Sequence, residues 1–291
     1  MRQYSIHHRK CPHCGSLLFV KNGYFYKKIT KTYIPRFKCR DCNVGYSTRT
    51  HSPTYRQKRL DLNDAIVKYH NAGVSLRETA RNLNCSYITV YKKFIWLGLR
   101  ALQVNRNKTL KAEVIYFDEM LSIEHTKLKP LTIALAVNEN YEILGAHVGR
   151  VPAFGKTAHT ARKKYGYREN ESKKKIEQLL TQLQGQLTNT PSEIRSDQKG
   201  EYTAIVEKVF PTIKYQQFKS KGNKEKLREQ KHLKSEKAKH DPLFPLNQRC
   251  AKLRDHLKRL ARRNWCTTKL PKHLELSLNL YIAKNNGYCL F

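Results

Sequence analysis

Acidic residues are scarce in this chain. Asp and Glu together number 23 of 291 residues, against 57 Lys and Arg, which leaves a formal net charge of +34. A charge of that size repels itself, so an anionic partner is expected to offset it. The basic residues run along the whole sequence, interleaved with 17 tyrosines. That distribution suits an extended nucleic-acid surface better than a basic tail. The alternative is a solvated cationic surface without a ligand. Long apolar runs are missing too: none reaches the roughly 18 residues that a spanning helix needs. The first ten residues contain no apolar signal core. Membrane and secreted classes are therefore not expected, and a cytosolic, reducing location is. In that setting the eight cysteines read as metal ligands or free thiols. The length allows two or three compact units.

Four of the cysteines have a telling arrangement. Cys11-Pro-His-Cys14 and Cys39-Arg-Asp-Cys42 are two Cys-x-x-Cys knuckles. Each knuckle lets two thiolates reach one ion from a tight turn, and two knuckles complete the tetrahedral sulfur cage that Zn2+ favours. The spacer between them reads as a hairpin with Asn22-Gly23 as its turn. Residues 1–55 are thus expected to form a zinc ribbon, too small to bury a sufficient core without its metal. It either contacts DNA or only anchors its neighbour.

Residues 56–100 have helical periodicity. Leu62, Ile66, Val67 and Tyr69 belong to a first helix that ends at Asn71-Ala-Gly73. Ser75-Leu-Arg-Glu78 is a capping box that opens a second helix, with Leu76, Ala80 and Leu83 as its apolar face. Asn84-Cys85-Ser86 is a turn, and Ser86 caps a third helix bearing Ile88, Val90, Tyr91 and Phe94. Two short helices around a tight turn make a helix-turn-helix. Tyr87, Thr89, Lys92 and Lys93 are then expected on the exposed side of the recognition helix, suited to a major groove. A plain three-helix packing unit is the alternative. Residues 101–111 are polar and basic and read as a linker.

From residue 112 the periodicity changes. Strands are expected at 114–117, 131–137 and 141–148, then a helix at 172–187 and a strand at 193–197. A short helix at 204–209, a strand at 212–218 and helices at 246–263 and 270–283 follow. Residues 219–240 hold eight lysines and few apolar residues, which reads as a solvated basic insertion. This order is that of an α/β ribonuclease-H-like domain over 112–291. Asp118 and Asp197 each close a strand-like run, on strands that are neighbours in that order, and so can share metal ions. Two Mg2+ or Mn2+ ions about 3.5–4 Å apart activate a water and stabilise a leaving oxygen. Either aspartate alone could equally cap a turn, since Asp197-Gln-Lys-Gly200 is turn-like. Asn247 is the polar residue at the start of the 246–263 helix, with Arg254 seven residues later on the same face. Trp265 reads as a packing residue rather than a base-stacking one.

Taken together, these motifs resemble the DDE-type insertion-sequence transposases of the insertion-sequence-one-like class, over nearly the whole chain. The resemblance rests on the Cys11/Cys14/Cys39/Cys42 ribbon, the Ser75-Leu-Arg-Glu-Thr-Ala80 helix, Phe117-Asp118-Glu119, Ser196-Asp197, and the segment from Leu246 through Arg254. It implies a metal-dependent nuclease and strand transferase acting on double-stranded DNA, both element ends and target. It further implies a homodimer or higher assembly on the nucleoid of a bacterial cell. By motif position it makes Asn247 the third metal ligand, where the family usually has Glu. An amide oxygen ligates Mg2+ without a charge, so weaker metal binding is expected. Glu201 and Asp255 are the alternative acids. Arg254 and Lys258 are expected on phosphates. A DNA-binding regulator with an inactive catalytic domain is the rival from another class, and an RNA-processing nuclease is a third reading.

Overall fold

A computed structural model describes residues 10–28, 31–219, 241–261 and 267–291. Most of the basic insertion, and Trp265, lie outside the described residues. The chain divides into two compact units between Asp61 and Leu62.

The first unit holds a three-stranded antiparallel sheet, β1 (Phe19–Lys27), β2 (Thr32–Cys39) and β3 (Gly45–Ser47), in that spatial order. Asn22-Gly23 is not the hairpin turn. β1 pairs with β2 on both sides of it, and the register shifts between Lys21 and Tyr24. The one extra residue on β1 makes a bulge, with Gly23 at φ 72° in the left-handed region that glycine enters at no steric cost. The chain reverses further on, between Lys27 and Thr32. The apolar core is small: Phe37 and Tyr46 pack beside Cys11 and Cys39, with Phe19 edge-on to Phe37 at 5.1 Å.

The second unit opens with three helices, α1 (Leu62–Asn71), α2 (Leu76–Asn82) and α3 (Tyr87–Arg106). Ser75 Oγ accepts from the Glu78 N–H at 3.2 Å, which is half of the expected capping box; the Glu78 carboxylate turns instead to Arg81 at 2.6 Å. Ser86 caps α3 in the same way. α3 is a 20-residue helix that runs well into the stretch read as a linker. Its length follows from what it packs against. Val90, Phe94, Leu97 and Ala101 share one core with Leu62 and Ile66 of α1 and with Leu276, Leu280 and Ala283 of the last helix, α8 (Pro271–Asn285). Gly98 lets the two helices touch, since a Cβ there would meet the Leu276 Cβ at 2.7 Å. Buried polar bonds reinforce the contact: His70 Nε2 to Ser277 Oγ at 2.6 Å, and the Asn105 amide to Asn279 at 2.9 and 3.0 Å.

A five-stranded mixed sheet follows, in the order β6-β5-β4-β7-β8. β4 (Val114–Glu124), β5 (Thr126–Asn138) and β6 (Ile143–Arg150) are antiparallel, and β7 (Glu193–Asp197) and β8 (Lys214–Phe218) run parallel to β4. α5 (Ser172–Gln186) and α6 (Gly200–Val209) cover one face, burying Leu179, Leu180, Ile205 and Val206 against Ile115, Phe117 and Ile194. α7 (Phe244–His256) and α8 cover the other, burying Leu246, Leu253, Leu274 and Leu278 against Tyr116, Met120 and Ile133. The helix expected at 246–263 ends earlier, at His256. Leu257 is extended, and a 3-10 turn spans Lys258–Leu260. The segment between β6 and α5 contains a helix that the periodicity did not reveal, α4 (Ala158–Tyr165).

Candidate active site

Asp197 is the last residue of β7, as the sequence suggests. Asp118 is not the last residue of its strand: β4 continues to Glu124 because β5 keeps pairing with it as far as Thr126. What stops near Asp118 is the parallel pairing with β7, whose last matched pair is Phe117 with Ser196. The next residues on the two strands are Asp118 and Asp197, so the register sets the carboxylates side by side. Burial, and then the neighbouring Asp197 charge, push the Asp118 carboxyl up to about 7. Burial likewise raises Asp197. Asp197 Oδ1 is buried and has no hydrogen-bond partner among the described residues. Two crowded carboxylates, one with an orphaned oxygen, are the chemistry that a hard divalent cation satisfies.

A cluster of side chains adjoins Asp118. Glu119, the next residue on β4, accepts from Thr132 Oγ1 at 2.8 Å and pairs with Lys199. Burial acts to raise the Glu119 carboxyl, but the bonds from Lys199, Ser172 and Thr132 overcome it and hold it low. The Tyr202 hydroxyl, buried on α6, lies 3.3 Å from Asp118 Oδ1 and 3.2 Å from Glu119 Oε2. Lys199 also donates to Ser172 Oγ at 2.9 Å. Sequence reasoning passed over Glu119, Ser172, Lys199 and Tyr202 as site residues. Strand alternation sends Glu119 toward the opposite sheet face from Asp118, and the Tyr202 side chain, 84 positions from Asp118, bonds both.

Asn247 sits in the first turn of α7, exposed, with its Nδ2 donating to Asp241 Oδ2 at 2.7 Å. No hydrogen bond joins it to Asp118 or Asp197 among the described residues. Three residues along, Cys250 is buried far enough that its thiol rises to about 12, with Asp118 adding to the rise and Arg254 opposing it. The α7 face bearing Cys250 and Arg254 therefore overlooks Asp118. The alternative acids have other neighbours: Glu201 lies 3.9 Å from Lys199, and Asp255 is exposed beside His256. Among the described residues no third His, Cys, Asp or Glu converges with the two aspartates. Lys258 is exposed, with its stem lying over Gly73.

The cysteine quartet does converge. Cys11 and Cys42 Sγ lie 3.6 Å apart, Cys14 and Cys39 Sγ 3.5 Å apart, and all four sulfurs fall within 4.8 Å of one another. The backbone N–H of Cys14 leads the interactions that lower the Cys11 thiol to about 6, toward the thiolate that binds metal. Four sulfurs in this space could hold one structural metal ion such as Zn2+.

On α3 the expected contact residues separate. Tyr87 and Lys92 are exposed, and Thr89 is half-buried with its hydroxyl on Ser86 at 2.9 Å. Lys93 is buried and donates to Asn63 Oδ1 at 2.7 Å, so it is not available to DNA. The cause is that α3 packs on two sides, against α1 and against α8. Along α3 only Tyr87, Ile88, Lys92, Leu99, Gln103 and Arg106 are exposed. Ile88, read as one of the apolar residues this helix bears, is among the exposed ones. At the start of the helix, Arg77, Arg81, Asn84, Ser86 and Tyr87 line a surface cleft of about 820 Å³.

Comparison with known protein families and with curated proteins finds no match to this chain. Among the described residues no helix is long and apolar enough to cross a membrane.

Proposed function

We propose that this chain is a DDE-type DNA transposase of the insertion-sequence-one-like class. On this reading the first unit is a zinc ribbon, α1–α3 carry a helix-turn-helix, and the five-stranded domain is ribonuclease-H-like. The observation that carries it is the side-by-side placing of Asp118 and Asp197 on parallel strands, both carboxyls raised and one oxygen orphaned. The strand order, with three antiparallel strands followed by two parallel ones, supports the same reading. So does the net charge of +34, which fits a partner with one negative charge per nucleotide.

Asp118 and Asp197 hold Mg2+ or Mn2+, with the Asn247 amide oxygen as a neutral third donor. When bound, such ions supply a nucleophilic water and neutralise charge on the leaving oxygen. The protein's own groups do the positioning. Tyr202 fixes Asp118, and Lys199 neutralises Glu119 so that it does not repel the phosphate. Arg254 approaches the backbone from α7. Tyr87, Thr89 and Lys92 face the terminal repeats, and two copies of the chain bring two element ends together. Mg2+-dependent cleavage of DNA carrying the element's ends tests the reading: wild type cuts, and Asp118→Ala loses at least about a hundredfold in rate. That no third acid converges with the pair among the described residues favours one other reading, a DNA-binding regulator with an inactive catalytic domain. Repeat-specific binding with equal, negligible cleavage by both proteins would establish it instead.

A further inference from the structure

Residues 151–171, between β6 and α5, play no part in the reading above. They form the 3-10 turn Gly155–Thr157 and α4, and they are rich in cations: Lys156, Arg162, Lys163, Lys164 and Arg168. They also display aromatic rings. Phe154 is 63% exposed and Tyr167 is 83% exposed. These rings are held out by a pinned backbone. Arg168, next to Tyr167, donates to Val151 O at 3.1 Å, to Pro130 O at 3.2 Å and to the Glu124 carboxylate at 2.9 Å.

Two clefts meet along this segment. One, of about 240 Å³, is bounded by Glu119, Thr132, Ser172, Lys199 and Phe154. The other, of about 260 Å³, is bounded by Ala161, Arg162, Tyr165 and Tyr167. Pro152 and Asn170 line both, so they form one groove. Its inner end is Glu119, which shares the Tyr202 hydroxyl with Asp118. Lys199 neutralises Glu119, so this end does not repel an anion. At the outer end Lys129 and Lys164 lie over the Tyr165 ring at 4.4 and 5.5 Å.

Exposed rings among cations along a groove are the chemistry that binds unpaired nucleotides. Each base offers a face to stack on a ring, and each phosphate meets a nearby cation. In a duplex those faces are already stacked. We infer that this groove seats unpaired nucleotides flanking the cut phosphodiester, with bases on Phe154 and Tyr167 and phosphates near Arg162 and Lys164. The location of the cut rests on the proposed nuclease reading; the groove's preference for unpaired strands does not.

Fluorescence anisotropy with the full-length chain in Ca2+ tests this, using a labelled duplex with a single-stranded overhang of either polarity and its blunt counterpart. Wild type is expected to bind at least one overhang duplex more tightly than the blunt one. Phe154→Ala with Tyr167→Ala should weaken overhang binding roughly tenfold or more while leaving blunt-duplex affinity unchanged. Tyr167→Phe, which keeps the ring, should behave as wild type. An overhang preference that survives the double substitution overturns the inference, as does an equal loss on both duplexes. The nuclease reading fails separately. A wild type that prefers overhangs but never cuts in Mg2+ refutes that reading and leaves the groove, whereas a cutting enzyme indifferent to the double substitution refutes the groove alone.

Discussion

At the residue scale the chain is governed by where its few unusual side chains are buried. His70 is an example: it stacks on Phe94, bonds Ser277, and burial lowers its pKa to about 4. The unfolded chain takes up a proton below about 6.5, which the native state refuses until about 4, so stability falls as pH drops through that window. Urea unfolding at pH 7 and pH 5 should show this group removing roughly 2 kcal/mol at the lower pH. His70→Gln, although less stable at pH 7, should lose that part of the slope. The sequence made some residues legible and hid others for physical reasons. The cysteine quartet was readable because two tight turns fix the ligand geometry locally. Asp118 and Asp197 were readable as a pair because strand order determines their neighbours. Lys93 was misassigned because its exposure depends on which sides of α3 are covered, and one of the covering helices begins at Pro271. Glu119 was missed because its partners Lys199 and Tyr202 lie some 80 positions further along the chain.

At the element scale, existence was easier to read than extent. β4 was expected to stop at its carboxylate, yet it continues to Glu124 because β5 supplies pairing beyond the point where β7 ends. α3 was expected to end near residue 100, but Leu97, Ala101 and Asn105 dock on α8 and carry the helix on to Arg106. Polar sequence alone reads as a linker when the partner that makes it a helix lies far along the chain. The docking has a single steric requirement. Gly98→Ala places a methyl 2.7 Å from the Leu276 Cβ and 3.3 Å from its carbonyl oxygen, so the helices must separate. The expected cost is about 1–3 kcal/mol, read as a lower urea midpoint, while Gly185→Ala, with open space around it, should cost nothing.

At the scale of the whole molecule, the two units differ in what holds them together. The second has three apolar clusters and the mixed sheet; the first has a handful of side chains around its cysteines. Stripping metal with a chelator should therefore abolish proteolytic protection of residues 10–61 and leave the cooperative unfolding of residues 62–290 in place. Adding Zn2+ back should restore the protection. The five-stranded domain depends instead on its own core, and on the proposed reading the metals held by its aspartates would serve chemistry rather than folding. That separation makes the central claim directly measurable, because the aspartates can be changed without altering the cysteine quartet of the first unit. The measurement is Mn2+ binding by electron paramagnetic resonance to the zinc-loaded full chain, for wild type, Asp118→Asn, Asp197→Asn and the double variant. The account predicts that wild type binds Mn2+, that each single substitution weakens binding at least roughly tenfold, and that the double variant is little worse than either alone. Unchanged Mn2+ binding in both single variants would contradict it.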